Sequence, residues 1–489
     1  MTRDTSEAPR LAIVVHNGIT GDSRVVKTAI AASRAGWDVL LLGWARSKIR
    51  TQTTMGPISV VRAPLIRTFQ DRRDAVDKGL PSPTPDHRAA PFAESREQLA
   101  SVVARSQKLR QVRMRPRLQT RVDEAAKRIR GRRQPDFVET AAARGLAQTP
   151  GEVVWRHDWP IFNDWWLSFA PELAAFDPDV IHANDAQMIS GAARYAAAAR
   201  LRGRDVRWLY DAHELVSAVD WGGPVVSEAY RQVEAEFIGQ ADAVITISPV
   251  MAATLQEQHS LDTLPGVVAN APIAEGTRAE RSLREVCGLP PEVPLMVYSG
   301  FVAEKRGLDV VIEALPQLDG VHLALVCGGT GAVFERLLAR AADLGVGDRV
   351  HHAPYVAPAA VPDYLSSADV GLAPFHWTAN YDSSLPTKVP EYLHARLPIV
   401  ASNMVVMGKF VEETGVGASF EAGSVSGVVT AIKRVLKEHA SMRAAITPEL
   451  LHEWSWERQA DVLAQTYSRI SGQRPTPRVV AWDVSEVNG

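Results

Sequence analysis

The residues of this chain best suited to chemistry are cations and a carboxylate spaced for an anion, with two histidines set apart from them. The stretch DVGLAPFHWTANYDSSLPTKVPEYLHARLPIVAS (369–402) reads as strand, loop, helix and strand. Pro374 stops an apolar run at 370–373, and a polar loop leads through Ser383, Ser384, Leu385, Pro386 and Thr387 into a helix carrying Lys388 and Glu391. Pro390 fits a first helical turn, where no intrahelical N–H is lost. Free N–H groups at such a start suit a phosphate, and Lys388 adds a cation. Glu391 could complement the helix end or accept hydrogen bonds from vicinal hydroxyls, as a ribose-binding carboxylate does. The alternative for Lys388 is an ordinary solvated lysine.

In open parallel sheets, ligands bind at the carboxyl ends of strands, so the residues after each apolar run come next. In the second half these are Gly300 with Lys305 and Arg306, and the run Gly328, Gly329, Thr330, Gly331. Arg306 would be a fixed guanidinium for pyrophosphate, and the glycines would let a ligand approach the backbone. In the first half they are the loop 17–22 with Gly18 and Gly21, then His182, Asn184 and Asp185, then Asp211, His213 and Glu214. A lone histidine is more often structural, but two from adjacent strand ends facing a cleft point towards function. There is no C-x-x-C pair, no H-E-x-x-H and no D-x-D after a strand, so neither a metal nor another cofactor is expected. Gly18 and Gly21 do not form G-x-G-x-x-G, which removes the main support for a dinucleotide site.

The elements that must position these residues come in two series. At 489 residues the chain is too long for one ordinary core. It opens with a βαβ unit: strand 11–15, helix 24–35 ended by Gly36, strand 38–42. Alternation breaks down over 65–155, where P-S-P-T-P (81–85) marks a loop. A strongly basic stretch then runs from Arg96 to Arg133. It reads as a solvated, partly helical insertion, or as a surface for anionic lipid or an acidic partner. Nothing in it resembles a stacking platform, and the net charge is −2, so nucleic acid is not expected. Trp155, Trp159, Trp165 and Trp166 would pack the insertion onto the sheet.

Strands follow at 180–183, 206–210, 243–247 and 266–268, a linker at 273–284, then strands at 295–298, 322–326, 350–351, 370–373 and 399–401. The fold class is α/β: two Rossmann-like, doubly wound parallel-sheet domains facing a cleft. Their spans are 1–275 and 276–465, with the tail 466–489 free to pack back on the first. Two cysteines, Cys287 and Cys327, and a polar N-terminus point to a reducing cytoplasm.

Together these segments resemble glycosyltransferase family 4, the retaining GT-B enzymes that use nucleotide-sugar donors. The similarity is carried by DSRVVKTAIAASRAGWDVLLLG, PDVIHAND, YDAHEL, ADAVITIS, VVANAP, VYSGFVAEKRGLDVVIEAL and SLPTKVPEYLHARLPIVAS, in that order. The resemblance implies that Arg306 and Lys388 bind the donor diphosphate and that Glu391, the second glutamate of E-x7-E, holds the ribose. It implies that the Gly18–Gly21 loop lies near diphosphate and acceptor, and that one of His182 and His213 contacts the transferred sugar. Asn184, Asp185 and Glu214 fall on the acceptor side. Three positions depart from the pattern: Ser383 replaces the first E-x7-E glutamate, Phe301 a common arginine, and Asn184 the second histidine of H-x-H.

The function implied is transfer of a hexosyl group from a UDP- or GDP-sugar to an acceptor hydroxyl, with retention and without a metal. A glycan or glycolipid acceptor in cell-envelope or exopolysaccharide synthesis fits, at the inner face of the membrane if the basic stretch binds anionic lipid. The alternatives are a nucleotide-sugar epimerase on the same fold and a catalytically weak GT-B-like partner protein.

Overall fold

The computed structural model describes residues 8–77, 153–274 and 276–482. The basic stretch between Arg96 and Arg133 lies outside them. The first sheet contains β1 (Arg10–Val14), β2 (Asp38–Ala45), β3 (Thr51–Met55), β4 (Ile58–Pro64), β5 (Val180–Asn184), β6 (Arg207–Ala212), β7 (Ala243–Thr246) and β8 (Gly266–Val267). Its order is β3-β4-β2-β1-β5-β6-β7-β8. Every pairing is parallel except β3 with β4. The second sheet contains β9 (Leu295–Ser299), β10 (His322–Val326), β11 (Val350–Ala353), β12 (Val370–Ala373), β13 (Ile399–Ser402) and β14 (Gly417–Phe420), all parallel, in the order β11-β10-β9-β12-β13-β14.

The central strands are apolar on both faces because helices cover both faces. In β1, Leu11 and Ile13 face the helix Ser23–Arg34, whereas Ala12 and Val14 face the side covered by Ile161–Phe176 and Ala186–Leu201. Trp155 and Trp165 are buried in that second core, with Trp159 and Trp166 packed against it.

The two orders place a reversal between β1 and β5 in the first sheet and between β9 and β12 in the second. Such switch points open crevices at the strand carboxyl ends. The two carboxyl edges face each other: Ser248, just after β7, donates its hydroxyl to the Ser383 carbonyl beyond β12 at 2.5 Å. The chain returns to the first sheet at Trp456, whose backbone N–H donates to the Pro272 carbonyl at 2.8 Å. The whole helix Trp456–Ser471, and not only the residues after 466, therefore covers the face already covered by Ser23–Arg34.

Candidate active site

The second-domain side is built by two interlocked loops. Gly307 follows the Glu304–Arg306 turn with φ +66°, and a Cβ there would stand 1.8 Å from the Pro374 carbonyl oxygen. His376 N–H donates to the Lys305 carbonyl at 3.1 Å, fastening the loop after β12 to the loop after β9. Arg306 is thereby held with its guanidinium 5.1 Å from the Phe375 ring and 5.2 Å from the Tyr381 ring. Lys388 lies over the same Phe375 ring at 4.8 Å and over Tyr298 at 4.5 Å. Two cations thus share one aromatic platform at the switch point, attracted to the ring faces.

The helix Lys388–His394 is seated beneath them by Tyr392, whose buried hydroxyl donates to the Leu372 carbonyl at 3.0 Å and accepts from Ser299 N–H at 3.2 Å. Gly300 has φ +132°, and its missing Cβ leaves room for Lys388 Nζ, 3.4 Å from where that Cβ would be. Burial pushes Lys388 down to about 7, Arg306 adding to the effect. Burial pushes the Glu391 carboxyl up to about 7, against the pull of Lys388 and Lys27. A polyanion entering here would restore the lysine's charge.

Other expected donor residues play smaller parts. Ser383 and Ser384 are buried, and both hydroxyls donate to the Asn380 carbonyl at 3.1 and 3.0 Å. The Leu385 side chain is part of the core, so only its backbone remains for a ligand. Thr387 is already helical and Val389 N–H bonds to the Pro386 carbonyl, so Pro386 and Thr387 form a turn ahead of the helix. Lys305 and Phe301 are exposed. Gly328 and Gly329 follow β10, with the His352 ring pressed against Gly329. Across the cleft, Asn17 braces the loop holding Gly18 and Gly21 by donating to Asp22 at 2.7 Å and accepting from Ile19 N–H at 2.7 Å.

Two first-domain expectations need correction. His182 does not face the cleft: it is fully buried, with Nδ1 2.7 Å from the Tyr467 hydroxyl and Nε2 3.2 Å from Asp211. Asn184 is also fully buried and donates to the Val14 carbonyl at 3.1 Å, so it offers no side chain to an acceptor. Both sit on inward positions of β5 and not in the loop beyond it.

His213, Asp185 and Glu214 do reach the edge. Asp185 holds a strained backbone (φ +62°, ψ 163°). Its carboxylate lies 3.1 Å from His213 Nδ1 and 3.5 Å from His16 Nδ1. His213 Nε2 lies 3.0 Å from Asp211, which Arg24 grips through both oxygens. Burial alone would discharge His213, but Asp185 and Asp211 outweigh it and raise it to about 10. Arg24 Nε comes within 2.9 Å of His213 Nε2 because both are aimed at the same Asp211 oxygen. Burial would also raise Asp211, but Arg24 and His213 hold it well below the usual carboxylate range.

Sequence reasoning missed Arg24, Lys27, His16 and Tyr467. Lys27 donates to the Ala271 carbonyl at 2.5 Å and lies 4.7 Å over the Trp456 ring. Burial lowers it to about 8 while Glu391 of the other domain pulls it back up. Arg24 and Lys27 stand one turn apart on a helix with apolar neighbours, a signal that charged side chains are being buried for a purpose. A separate cavity of about 810 Å³, between the helix Trp456–Ser471, the segment 474–482 and the far end of the helix Ser23–Arg34, holds none of the expected site residues. Among the described residues no group of three or more side chains is arranged to hold a metal ion.

Two parallel-sheet domains meeting carboxyl edge to carboxyl edge, one of them presenting paired cations, define a GT-B glycosyltransferase. Residues 22–269 match the family described as "Glycosyl transferase 4-like domain", and residues 280–449 match "Glycosyl transferases group 1". The chain belongs to the glycosyl transferase 4-like family. It is 25% identical over 245 residues to the D-inositol 3-phosphate glycosyltransferase of Mycolicibacterium smegmatis, a match covering 48% of this chain and 55% of that protein. The fold is similar to that of sucrose-phosphate synthase from Thermosynechococcus elongatus, with TM-score 0.62, 16% identity, and coverage of 95% of this chain and 99% of that one. It is also similar to an E. coli trehalose-6-phosphate structure bound with UDP-2-fluoro glucose, with TM-score 0.59, 11% identity, and coverage of 96% and 100%.

Proposed function

We propose that this glycosyltransferase moves a hexosyl group from a UDP- or GDP-sugar to an acceptor hydroxyl with retention of configuration. The observation that carries the reading is the pair Arg306 and Lys388 at one Phe375 ring, with Glu391 one turn further into the helix. Charge builds on the leaving diphosphate as the glycosidic bond breaks, and fixed cations in a site closed to water stabilise it. In this reading the cations do that work without a metal. Glu391 accepts from ribose hydroxyls, and a leaving-phosphate oxygen takes the proton of the acceptor. The E. coli neighbour carries a UDP-sugar analogue on the same fold, which supports a nucleotide-sugar donor here.

The first domain takes the acceptor beside Asp185, His213 and Glu214. A cell-envelope glycan, glycolipid or exopolysaccharide acceptor fits, with residues 96–133 meeting an anionic membrane surface. Among the described residues no helix is long and apolar enough to cross a membrane. The epimerase alternative is weakened because one of its two histidines, His182, is buried away from any substrate.

The test is a nucleotide-release assay over UDP- and GDP-sugars with candidate acceptors, reading the anomeric configuration of the product by NMR. Acceptor-dependent release with retention is expected. Isomerisation of a donor alone, or release with inversion, would overturn the reading.

A further inference from the structure

The helix Trp456–Ser471 does more than close the first domain, because one of its side chains ends inside the charged cluster behind the cleft. Tyr467 is fully buried, its hydroxyl is 2.7 Å from His182 Nδ1, and its ring meets the His182 ring edge-on at 5.9 Å. We propose that Tyr467 and His182 are positioning residues: the Tyr467 hydroxyl fastens the His182 ring by donating to its Nδ1, and His182 in turn steadies the Asp211 carboxylate that orients His213 at the cleft.

The hydrogen bonds leave one arrangement for His182. Asp211 is fully buried and paired with Arg24, so it is ionised and every close partner must donate to it. His182 Nε2, 3.2 Å from Asp211 Oδ2, therefore carries the proton. A neutral imidazole protonated there must accept at Nδ1, and the Tyr467 O–H is placed to donate. Burial favours the neutral forms of both rings, lowering His182 and raising Tyr467. Asp211 Oδ2 then collects His182 Nε2, Arg24 Nε at 3.2 Å and His213 Nε2 at 3.0 Å, while Arg24 Nη2 takes Oδ1 at 2.9 Å.

Beyond His213 the chain continues to Asp185 and His16, with exposed Glu214 alongside. Without the Tyr467 hydroxyl, the buried Nδ1 of His182 loses its donor while Asp211 still holds the proton on Nε2. The ring is then held from one side only, and the carboxylate that orients His213 loses a fixed partner. A phenylalanine would fill the same space, so packing alone does not call for the hydroxyl.

The kinetic part of the test rests on the proposed transfer reaction, but the spectroscopic part needs no substrate. In ¹⁵N-histidine spectra of the full chain, His182 should be in the Nε2–H tautomer, and Tyr467→Phe should shift its Nδ1 resonance as the hydrogen bond that nitrogen accepts is lost. In transfer assays Tyr467→Phe should lower kcat roughly tenfold or more, the scale of loss that misplaced groups cause, with donor KM within about twofold. His182→Leu should lose at least as much. His182→Gln, which can donate to Asp211 and accept from Tyr467, should recover most of the loss. An Nδ1–H tautomer in the wild type, or a folded Tyr467→Phe variant with unchanged Nδ1 resonance and kcat, would overturn the proposal. If no nucleotide sugar is turned over, the transfer reading fails, and the spectra alone decide the positioning role.

Discussion

At the scale of single residues, the site is a balance of buried charge that a donor would complete. Lys388 is pushed down and Glu391 up, both to about 7, chiefly by burial. Lys388 loses its charge as pH rises through that value, and the diphosphate then loses a counter-ion. Glu391 becomes protonated as pH falls through it, and the ribose loses a charged acceptor. Donor affinity should therefore be greatest near neutrality and weaken on both sides, as titration calorimetry from pH 5.5 to 9 would show. Lys388→Arg should flatten the alkaline limb only, because a guanidinium stays charged. Unaltered affinity across that range would contradict the assignment.

In the first domain, Arg24→Ala would leave the buried Asp211 with only its two histidines, and breaking a buried pair costs up to about 3–5 kcal/mol. Urea unfolding should show that loss. Much of this was unreadable in the sequence. Strand ends are visible as apolar runs, but whether His182 points past the end or into the sheet depends on a one-residue phase of the pleat.

Elements were more legible than contacts. The central parallel strands are short, apolar on both faces and bounded by turn residues, so their pattern shows directly. The β3–β4 hairpin did not show, since Thr51, Gln52, Thr53 and Thr54 are exposed on an edge and carry no apolar run. β14, with only Gly417–Phe420, was too short and small-residue-rich to stand out. The loop that carries Arg306 was found through its cations, but the interlock that holds it comes from tertiary approach alone. Gly307→Ala should be costly, because it forces both a left-handed non-glycine backbone, about 1–2 kcal/mol, and an overlap with Pro374. Gly300→Ala carries a backbone strain of its own at φ +132° but meets no backbone atom, only Lys388 Nζ, which it should displace. Melting temperature and donor affinity should fall in both variants, with the larger loss of melting temperature in Gly307→Ala, whose Cβ would overlap a backbone carbonyl.

At the scale of the whole molecule, function depends on what the two domains present to each other. Ser248 reaches Ser383, and the charges of Lys27 and Glu391 act on each other across the cleft. The helix Trp456–Ser471 ties the end of the chain to the first sheet through Trp456 and Tyr467. The family resemblance covered both domains, yet these cross-contacts lie between segments far apart in sequence and left no local signal. Deleting residues 96–133 should reduce sedimentation with anionic liposomes, and unchanged sedimentation would leave that stretch without a membrane role.

The most direct test of the central claim is ligand-induced thermal stabilisation by a panel of UDP- and GDP-sugars, measured on the wild type and on Arg306→Ala/Lys388→Ala. A ligand at about 100 times its Kd stabilises by about 2.7 kcal/mol. At least one nucleotide sugar should therefore raise the wild-type melting temperature by several degrees while leaving the double variant unmoved. No shift with any of them, or equal shifts in both proteins, would contradict a donor site built on Arg306 and Lys388.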